Sequence, residues 1–330
     1  MILITGGTGL VGAHLLLHLL MQGRSVRAVF RNEKSISKTE ALFKKSGQDD
    51  LFQKIDWVRA DINDVPALEN AFQNISEVYH CAAFVSFTAS DFEAMEKINI
   101  EGTANMVNLS LAFNIKKFCY VSSIATLDEP NKETGYFDET SDWNSGKNHS
   151  DYAITKFGGE TEVWRAAQEG LNVLIVNPGV IFGEGFHKQG AGQLISRIDK
   201  GFPFFTDGHT GVVYVKDVVR SMTALMDKES FGQRYILVSE NIPFECLFKE
   251  IAAALHKKAP YLEVKKWMLN LAVPFDWLMT AVVPNKKRSL TRDLIKASFS
   301  KDFYDTSKIR RELDFEFQTT RNFISKIVSF

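Results

Sequence analysis

Met1-Ile2-Leu3-Ile4-Thr5-Gly6-Gly7-Thr8-Gly9-Leu10-Val11-Gly12 decides the fold. Ile2 to Thr5 is an apolar run of strand length, and Leu10 to Met21 carries helical periodicity, so the glycines between them turn a strand into a helix. Gly6 permits the tight turn, Gly9 lets backbone N–H groups approach a pyrophosphate, and Gly12 lets the helix press against the strand. The helix N-terminus itself favours negative charge. The turn therefore predicts a dinucleotide site built from Gly6, Thr8, Gly9, Leu10, Val11 and Gly12.

The same alternation continues outward. Val26 to Phe30, Ile55 to Ala60, Val78 to Ala82, Phe118 to Ser122 and Val173 to Asn177 have strand length. Val65 to Phe72, Phe92 to Phe113 and Tyr152 to Ala167 have helical patterns. This order predicts an α/β chain with a Rossmann-like, doubly wound parallel sheet. The Lys-rich stretch from Lys34 to Lys54 reads as a solvated helix and loop. After Asn177 glycines punctuate the chain; a helix from Asp217 to Asp227 and a strand from Arg234 to Val238 return to the sheet, and 240–330 reads mostly as helices. The expected division is 1–177 with 211–239 for the dinucleotide, and 178–210 with 240–330 as a smaller, mainly helical substrate-binding region.

With 330 residues, the chain can bury a sizeable core. Lys and Arg number 39 against 40 Asp and Glu, a net charge of -1, which gives no global attraction to nucleic acid. Cys81, Cys119 and Cys246 lack metal or redox spacing. The strand starts at Ile2 with no charged leader before it, so the expectation is a cytoplasmic protein. Trp267 to Pro284 is interrupted by Pro274 and Asp276, which predicts a packed helical lid rather than a membrane span, with peripheral membrane contact as the alternative. His14 and His18 have ligand spacing without a third ligand and read as a partly exposed helix face.

Strand ends place the remaining candidates. An acid about 20 residues after the turn would bind the ribose of NAD; here stand Phe30-Arg31-Asn32 with Lys34 nearby. Cations at that place favour NADP(H), with NAD(H) the lesser choice, because a guanidinium can hold a 2′-phosphate. Asp61 and Ile62 are placed to meet the adenine, and Ala82 and Ala83 leave room for the cofactor backbone. Tyr152 and Lys156 share one helix face, where an ammonium beside a phenol, together with the positive ring of the oxidised nicotinamide, lowers the phenol's pKa. Ser122-Ser123 closes the fifth strand, where a hydroxyl could hydrogen-bond a substrate oxygen.

Taken together, TGGTGLVG at 5–12, NIEGT at 99–103, YVSSIA at 120–125, YAITK at 152–156, NPGVIFG at 177–183 and YVKDVV at 214–219 resemble the extended short-chain dehydrogenase/reductase family. The resemblance implies Ser123, Tyr152 and Lys156 as catalytic groups. It also implies Lys156 on the nicotinamide ribose, Pro178 beside the nicotinamide, and Asn99 bracing backbone or acting in catalysis. Sugar-nucleotide epimerases of the family usually carry Arg and Asn where Asn177 and Val180 stand. NPGVIFG, the Asp138 to Trp143 segment and Arg31 are instead similar to dihydroflavonol and cinnamoyl-CoA reductases, with 3β-hydroxysteroid dehydrogenases close by.

The expected reaction is reduction of a hydrophobic ketone or aldehyde, or oxidation of its alcohol. A nucleotide-sugar epimerase or dehydratase and a non-catalytic NADP(H) sensor are the alternatives. Phe84, Val85, Val180 and Phe205 are the substrate candidates, with Phe182, Phe186, Phe202 and Phe204 as further rings that either line a pocket or fill the core. The resemblance makes a homodimer through 92–113 and 152–167 an expectation, although those apolar faces could equally serve the sheet.

Overall fold

The computed structural model describes residues 1–187, 189–282 and 291–330. The first half alternates as the sequence pattern demands: β1 (Ile2–Thr5), α1 (Leu10–Met21), β2 (Val26–Phe30), α2 (Ile36–Lys45), α3 (Asp49–Phe52), β3 (Asp56–Arg59), α4 (Val65–Ala71) and β4 (Glu77–His80). Next come α5 (Phe92–Glu96), a π-helical turn over Lys97–Glu101, α6 (Gly102–Ala112), β5 (Lys117–Val121), α7 (Asp151–Gln168) and β6 (Val173–Pro178). The later chain adds β7 (Val180–Phe182), α8 (Gly192–Asp199), β8 (Phe204–Phe205), β9 (His209–Tyr214), α9 (Val215–Asp227), β10 (Gln233–Leu237) and β11 (Glu240–Pro243). It closes with α10 (Phe244–Ala254), β12 (Leu262–Glu263), α11 (Lys266–Val282), α12 (Arg292–Ser298), α13 (Ser307–Leu313) and α14 (Thr320–Ser329).

Seven parallel strands form the main sheet in the order β10-β6-β5-β4-β1-β2-β3. The chain reverses direction of travel between β1 and β4, and the carboxyl ends flanking that crevice are where open α/β sheets bind ligands. Side chains from α1 and α9 form one hydrophobic cluster against one face of the sheet; α4, α6 and α7 form another against the opposite face. Met106, Val107, Val163 and Ala166 are buried in this second cluster, so those faces of α6 and α7 serve the sheet.

A second sheet, ordered β11-β9-β7, and the β12-β8 pair stand beside the carboxyl edge. Residues 211–214 belong to β9 in this second sheet, while α9 and β10 lead back to the main one. Phe182 and Phe186 are buried, Phe182 lying 6.0 Å from the ring of Phe323 and Phe186 packing with Ala13 and Leu42. They are core residues, which answers the pocket-or-core question for these two rings.

Two expectations are corrected on the surface. At α11, Trp267 and Leu271 are each 62% exposed and Met268 is exposed as well, so this part of the Trp267 to Pro284 stretch is not a packed lid. Pro284 lies outside the described residues. His14 is buried rather than partly exposed. Its Nδ1 bonds the Leu10 carbonyl oxygen at 2.8 Å, and its Nε2 lies 3.4 Å from the Glu184 carboxylate. Among the described residues, no helix is long and apolar enough to cross a membrane, and no group of His, Cys, Asp and Glu could hold a metal ion. Cys119 is buried, Cys81 half-buried and Cys246 exposed, and all three are free thiols.

Candidate active site

The glycine turn has the shape its sequence requires. Gly6 sits at φ +69°, and a Cβ there would come within 2.7 Å of the Cys81 backbone. A Cβ on Gly12 would lie 2.2 Å from the Gly6 carbonyl oxygen, so helix and turn touch backbone to backbone. Gly9 leads into α1 with extended backbone, leaving the first N–H groups of that helix without a side-chain cap. A bare helix N-terminus at a strand-ending turn fits a pyrophosphate.

Farther along the carboxyl edge, a cavity of about 360 Å³ is lined by Arg31, Arg59, Ala60, Asp61, Asp64 and Ala67. Arg31 and Asp61 therefore meet where the strand-end reading places them, their charged groups 3.7 Å apart. Arg59 escaped that reading. It ends β3 in register with Phe30 of β2, a neighbour legible only once strands are paired. Both carboxylates here also hold backbone in place. Asp61 accepts the Asn63 N–H at 3.0 Å, and Asp64 accepts the Ala67 N–H at 3.2 Å as the α4 cap.

Two neighbours depart from expectation. Ile62 is buried where a Cβ on Gly102 would meet it, so its side chain packs into the core and of the adenine pair only Asp61 lines the cavity. Lys34 is exposed on a short 3-10 turn, its N–H capped by Asn32, and is not part of the cavity wall.

The Tyr and Lys candidates start α7, where the Ser150 hydroxyl accepts the Ala153 N–H at 3.2 Å and Asp151 complements the helix dipole. Ser123 follows β5 and its hydroxyl accepts the Ala125 N–H at 3.1 Å. Burial pushes the Tyr152 phenol up, and its hydrogen bond with Ser123 works the other way. Lys156 is 1% exposed; it donates to the Tyr120 hydroxyl and to the Val121 carbonyl oxygen, each at 2.8 Å. Burial brings its pKa down to about 7, against the opposing pull of Glu160 and Cys81. The spacing expectation has Lys156 together with the positive, oxidised nicotinamide lowering the Tyr152 phenol; in the protein alone burial dominates, and Tyr120 and the Val121 carbonyl oxygen hold two of the Lys156 donors.

Beneath this group lies a polar cluster that the sequence reading missed. The buried Glu160 carboxylate accepts from Ser122 at 2.5 Å, Asn177 at 2.9 Å, Thr126 at 3.0 Å and Arg234 at 3.1 Å. Asn177 also donates to the Ser123 carbonyl oxygen at 3.2 Å, so it faces inward and braces the serine turn. Arg234 additionally binds the carbonyl oxygens of Glu139 and Ser141, tying down the acidic segment whose Trp143 stacks 4.3 Å from Phe157 of α7. The available signal was spacing: Glu160 follows Lys156 by four residues on one helix face.

Asn99 braces backbone, accepting the Phe84 N–H at 2.8 Å and donating to its carbonyl oxygen at 2.9 Å. This holds Phe84 half-buried, with Ala83 and Val85 exposed beside it. Ala82 donates its N–H to Thr5 at 3.1 Å, and Pro178 is buried at the end of β6. Val180 is half-buried on β7, opposite Val212, and packs against the same cluster as the half-buried Phe205.

This fold and strand-end constellation define a nucleotide-binding enzyme. The profile of the NAD dependent epimerase/dehydratase family matches residues 2–238, and the chain belongs to that family. It is an NAD(P)-dependent enzyme of the extended short-chain dehydrogenase/reductase type. A protein of Synechocystis sp. named "Putative dihydroflavonol 4-reductase" is 31% identical over 325 residues, covering 94% of this chain and 88% of that one. A UDP-glucose 4-epimerase of Vibrio cholerae is 26% identical, covering 82% and 80% of the two chains. The crystal structure of gox2253 superposes with a TM-score of 0.82 at 25% identity, covering 100% of this chain and 97% of the other.

Proposed function

We propose that the protein is an NADP(H)-dependent reductase of a hydrophobic ketone or aldehyde, able to run in reverse on the alcohol. The observation that carries this choice is Asn177. It is fully buried and bonded to Glu160, Thr126 and the Ser123 backbone, and Val180 is apolar. Asn177 spends its amide N–H donors inside the protein and Val180 has none, so neither residue offers a donor to a nucleoside diphosphate, which disfavours a sugar-nucleotide substrate. Half-buried apolar side chains at Phe84, Val180 and Phe205 suit an apolar carbonyl compound, since a polar group buried against them without a partner would cost several kcal/mol, about 2–7. Phe84 and Val85 from the dinucleotide-binding part, with Val180 and Phe205 from a substrate region formed by 178–210 and 240–330, are the side chains assigned to that substrate.

The residues present fit the cofactor. Gly6, Thr8, Gly9, Leu10, Val11 and Gly12 would hold its pyrophosphate, Asp61 the adenine side, Ala82 and Ala83 its backbone, and Pro178 the nicotinamide. The bound nicotinamide supplies the hydride. Arg31 with Arg59 would hold a 2′-phosphate, the two guanidiniums offering planar donors at one cavity. Ser123 hydrogen-bonds the substrate oxygen and holds it against Tyr152. Tyr152, kept protonated by burial, donates its phenolic proton to that oxygen in the reductive direction. Lys156 holds the ribose and supplies the nearby positive charge that stabilises the phenolate left behind.

A panel of NADPH with trans-cinnamaldehyde, a ketosteroid and a flavanone tests the reading in purified protein. Consumption of NADPH that is lost in Tyr152→Phe supports it. Conversion of UDP-glucose without net change in cofactor would replace it with the epimerase alternative.

A further inference from the structure

Three adjacent parallel strands bring Thr5 of β1, His80 of β4 and Tyr120 of β5 side by side, in register Thr5 with His80 and His80 with Tyr120. Residues paired in register on parallel strands face the same way, so these three point together toward α6 and α7. All three are fully buried. The His80 and Tyr120 rings stack at 5.7 Å.

Their hydrogen bonds form one wired path. Ala82 N–H donates to the Thr5 hydroxyl at 3.1 Å, and that hydroxyl and His80 Nδ1 lie 2.6 Å apart. His80 Nε2 and the Thr103 hydroxyl are 3.1 Å apart, and Thr103 donates to the Asn99 carbonyl oxygen at 2.7 Å. Tyr120 hydrogen-bonds with Thr103, and it accepts from Lys156 at 2.8 Å. Thr103 gives its proton to the Asn99 carbonyl oxygen and so accepts from His80 Nε2–H, while the Lys156 ammonium, which has only donors, gives a proton to the Tyr120 oxygen. Burial and the Lys156 charge hold His80 neutral, its pKa near 3, as this wiring requires.

We propose that Tyr120 is a positioning residue of the site, fixing the Lys156 ammonium through an oxygen that Thr103 and His80 orient. The inference rests on the role given above to Tyr152 and Lys156. Tyr120 and the Val121 carbonyl oxygen take two of the three ammonium N–H donors, leaving one for a further acceptor such as the ribose. The close fit is built into the helix: a Cβ on Gly159 would lie 2.3 Å from the Asn99 carbonyl oxygen and 2.6 Å from the Tyr120 hydroxyl. Only glycine lets α7 approach near enough for Lys156 to reach β5.

The test uses the full chain with Tyr120→Phe, which keeps the ring and removes the oxygen, and Thr103→Val, which keeps the volume and removes the hydroxyl behind it. With NADP⁺ bound, the ultraviolet absorbance of tyrosinate is titrated, and Tyr152→Phe serves as the blank that assigns the Tyr152 signal. NADPH affinity is read from nicotinamide fluorescence. Tyr120→Phe should raise the pH of the Tyr152 ionisation by about one unit, a tenfold loss of phenolate, and weaken NADPH several-fold. Thr103→Val should move both in the same direction by less. A role in packing alone would lower the unfolding temperature and leave the ionisation in place. Wild-type ionisation and NADPH affinity in whichever of the two variants fold overturn the proposal. If Tyr152→Phe and Lys156→Met are inactive at the same time, only the role of Tyr120 falls. Should those two variants stay fully active, the reading of the site itself falls.

Discussion

Replacing Arg31 by Asp probes the cofactor choice at the point where the sequence and the cavity meet. A charge-assisted hydrogen bond contributes about 1.5–3 kcal/mol. The Arg31 side chain is 68% exposed, so solvent screening places its share at the lower end, about 1.5 kcal/mol. The new carboxylate repels a doubly charged 2′-phosphate; at about 5 Å in a water-like dielectric this adds roughly 1.5 kcal/mol. Together, about 3 kcal/mol corresponds to a preference for NADPH over NADH reduced roughly 150-fold. Residual NADPH binding should persist through Arg59, and Arg31→Asp combined with Arg59→Ala should reduce it further. The assay is the ratio of dissociation constants for NADPH and NADH, measured by nicotinamide fluorescence at fixed ionic strength. A wild-type ratio near one, or a ratio unmoved by Arg31→Asp, would refute the assignment of this cavity to a 2′-phosphate.

Other outcomes follow from the same geometry. Tyr152→Phe should lower kcat by about 10²–10⁴-fold, the usual worth of a positioned acid, while the unfolding temperature changes little. Gly12→Ala forces a methyl to within 2.2 Å of the Gly6 carbonyl oxygen and should cost about 1–3 kcal/mol of stability together with nucleotide affinity, measured by denaturant unfolding and NADPH titration. Glu184 gives a pH signature. Burial opposes its charge, but hydrogen bonds from Tyr214 and Lys216, with the His14 ring 3.4 Å away, outweigh that cost and bring its pKa to about 2 from 4.5. A depressed carboxyl contributes stability that is present above its unfolded pKa and lost as pH falls through the folded one. Wild type should therefore lose up to about 3 kcal/mol between pH 4.5 and 2 through this group, a loss that Glu184→Gln should lack in acid unfolding curves.

The fold was legible because its information is local and periodic. Three buried apolar residues before a glycine turn, then a helix, then further runs of strand length leave one architecture open. The placement of Arg31 and Asp61 at strand ends, of Tyr152 at a helix start and of the Ser122-Ser123 pair after β5 was also legible, and the family resemblance alone singled out Ser123. What stayed hidden depends on pairing across the sheet. Arg59 joins Arg31 only through the register of β2 with β3, and the Thr5, His80 and Tyr120 row exists only once β1, β4 and β5 are aligned. Ile62 misled because the residue beside a strand-end acid can turn into the core, as it does against Gly102. His14 misled because its buried partner Glu184 is distant in sequence. Helix spacing likewise placed the Lys156 ammonium near the phenol but could not reveal that Tyr120 and the Val121 carbonyl oxygen hold it in place.

The most direct test is to incubate the purified chain with NADPH and trans-cinnamaldehyde, a ketosteroid or a flavanone, and separately with UDP-glucose, following cofactor absorbance and products together. The account predicts stoichiometric NADPH oxidation and alcohol formation with at least one apolar carbonyl compound, abolished in Tyr152→Phe. Epimerised UDP-glucose with no net NADPH consumption, and no reduction of any of the three carbonyl compounds, would contradict it.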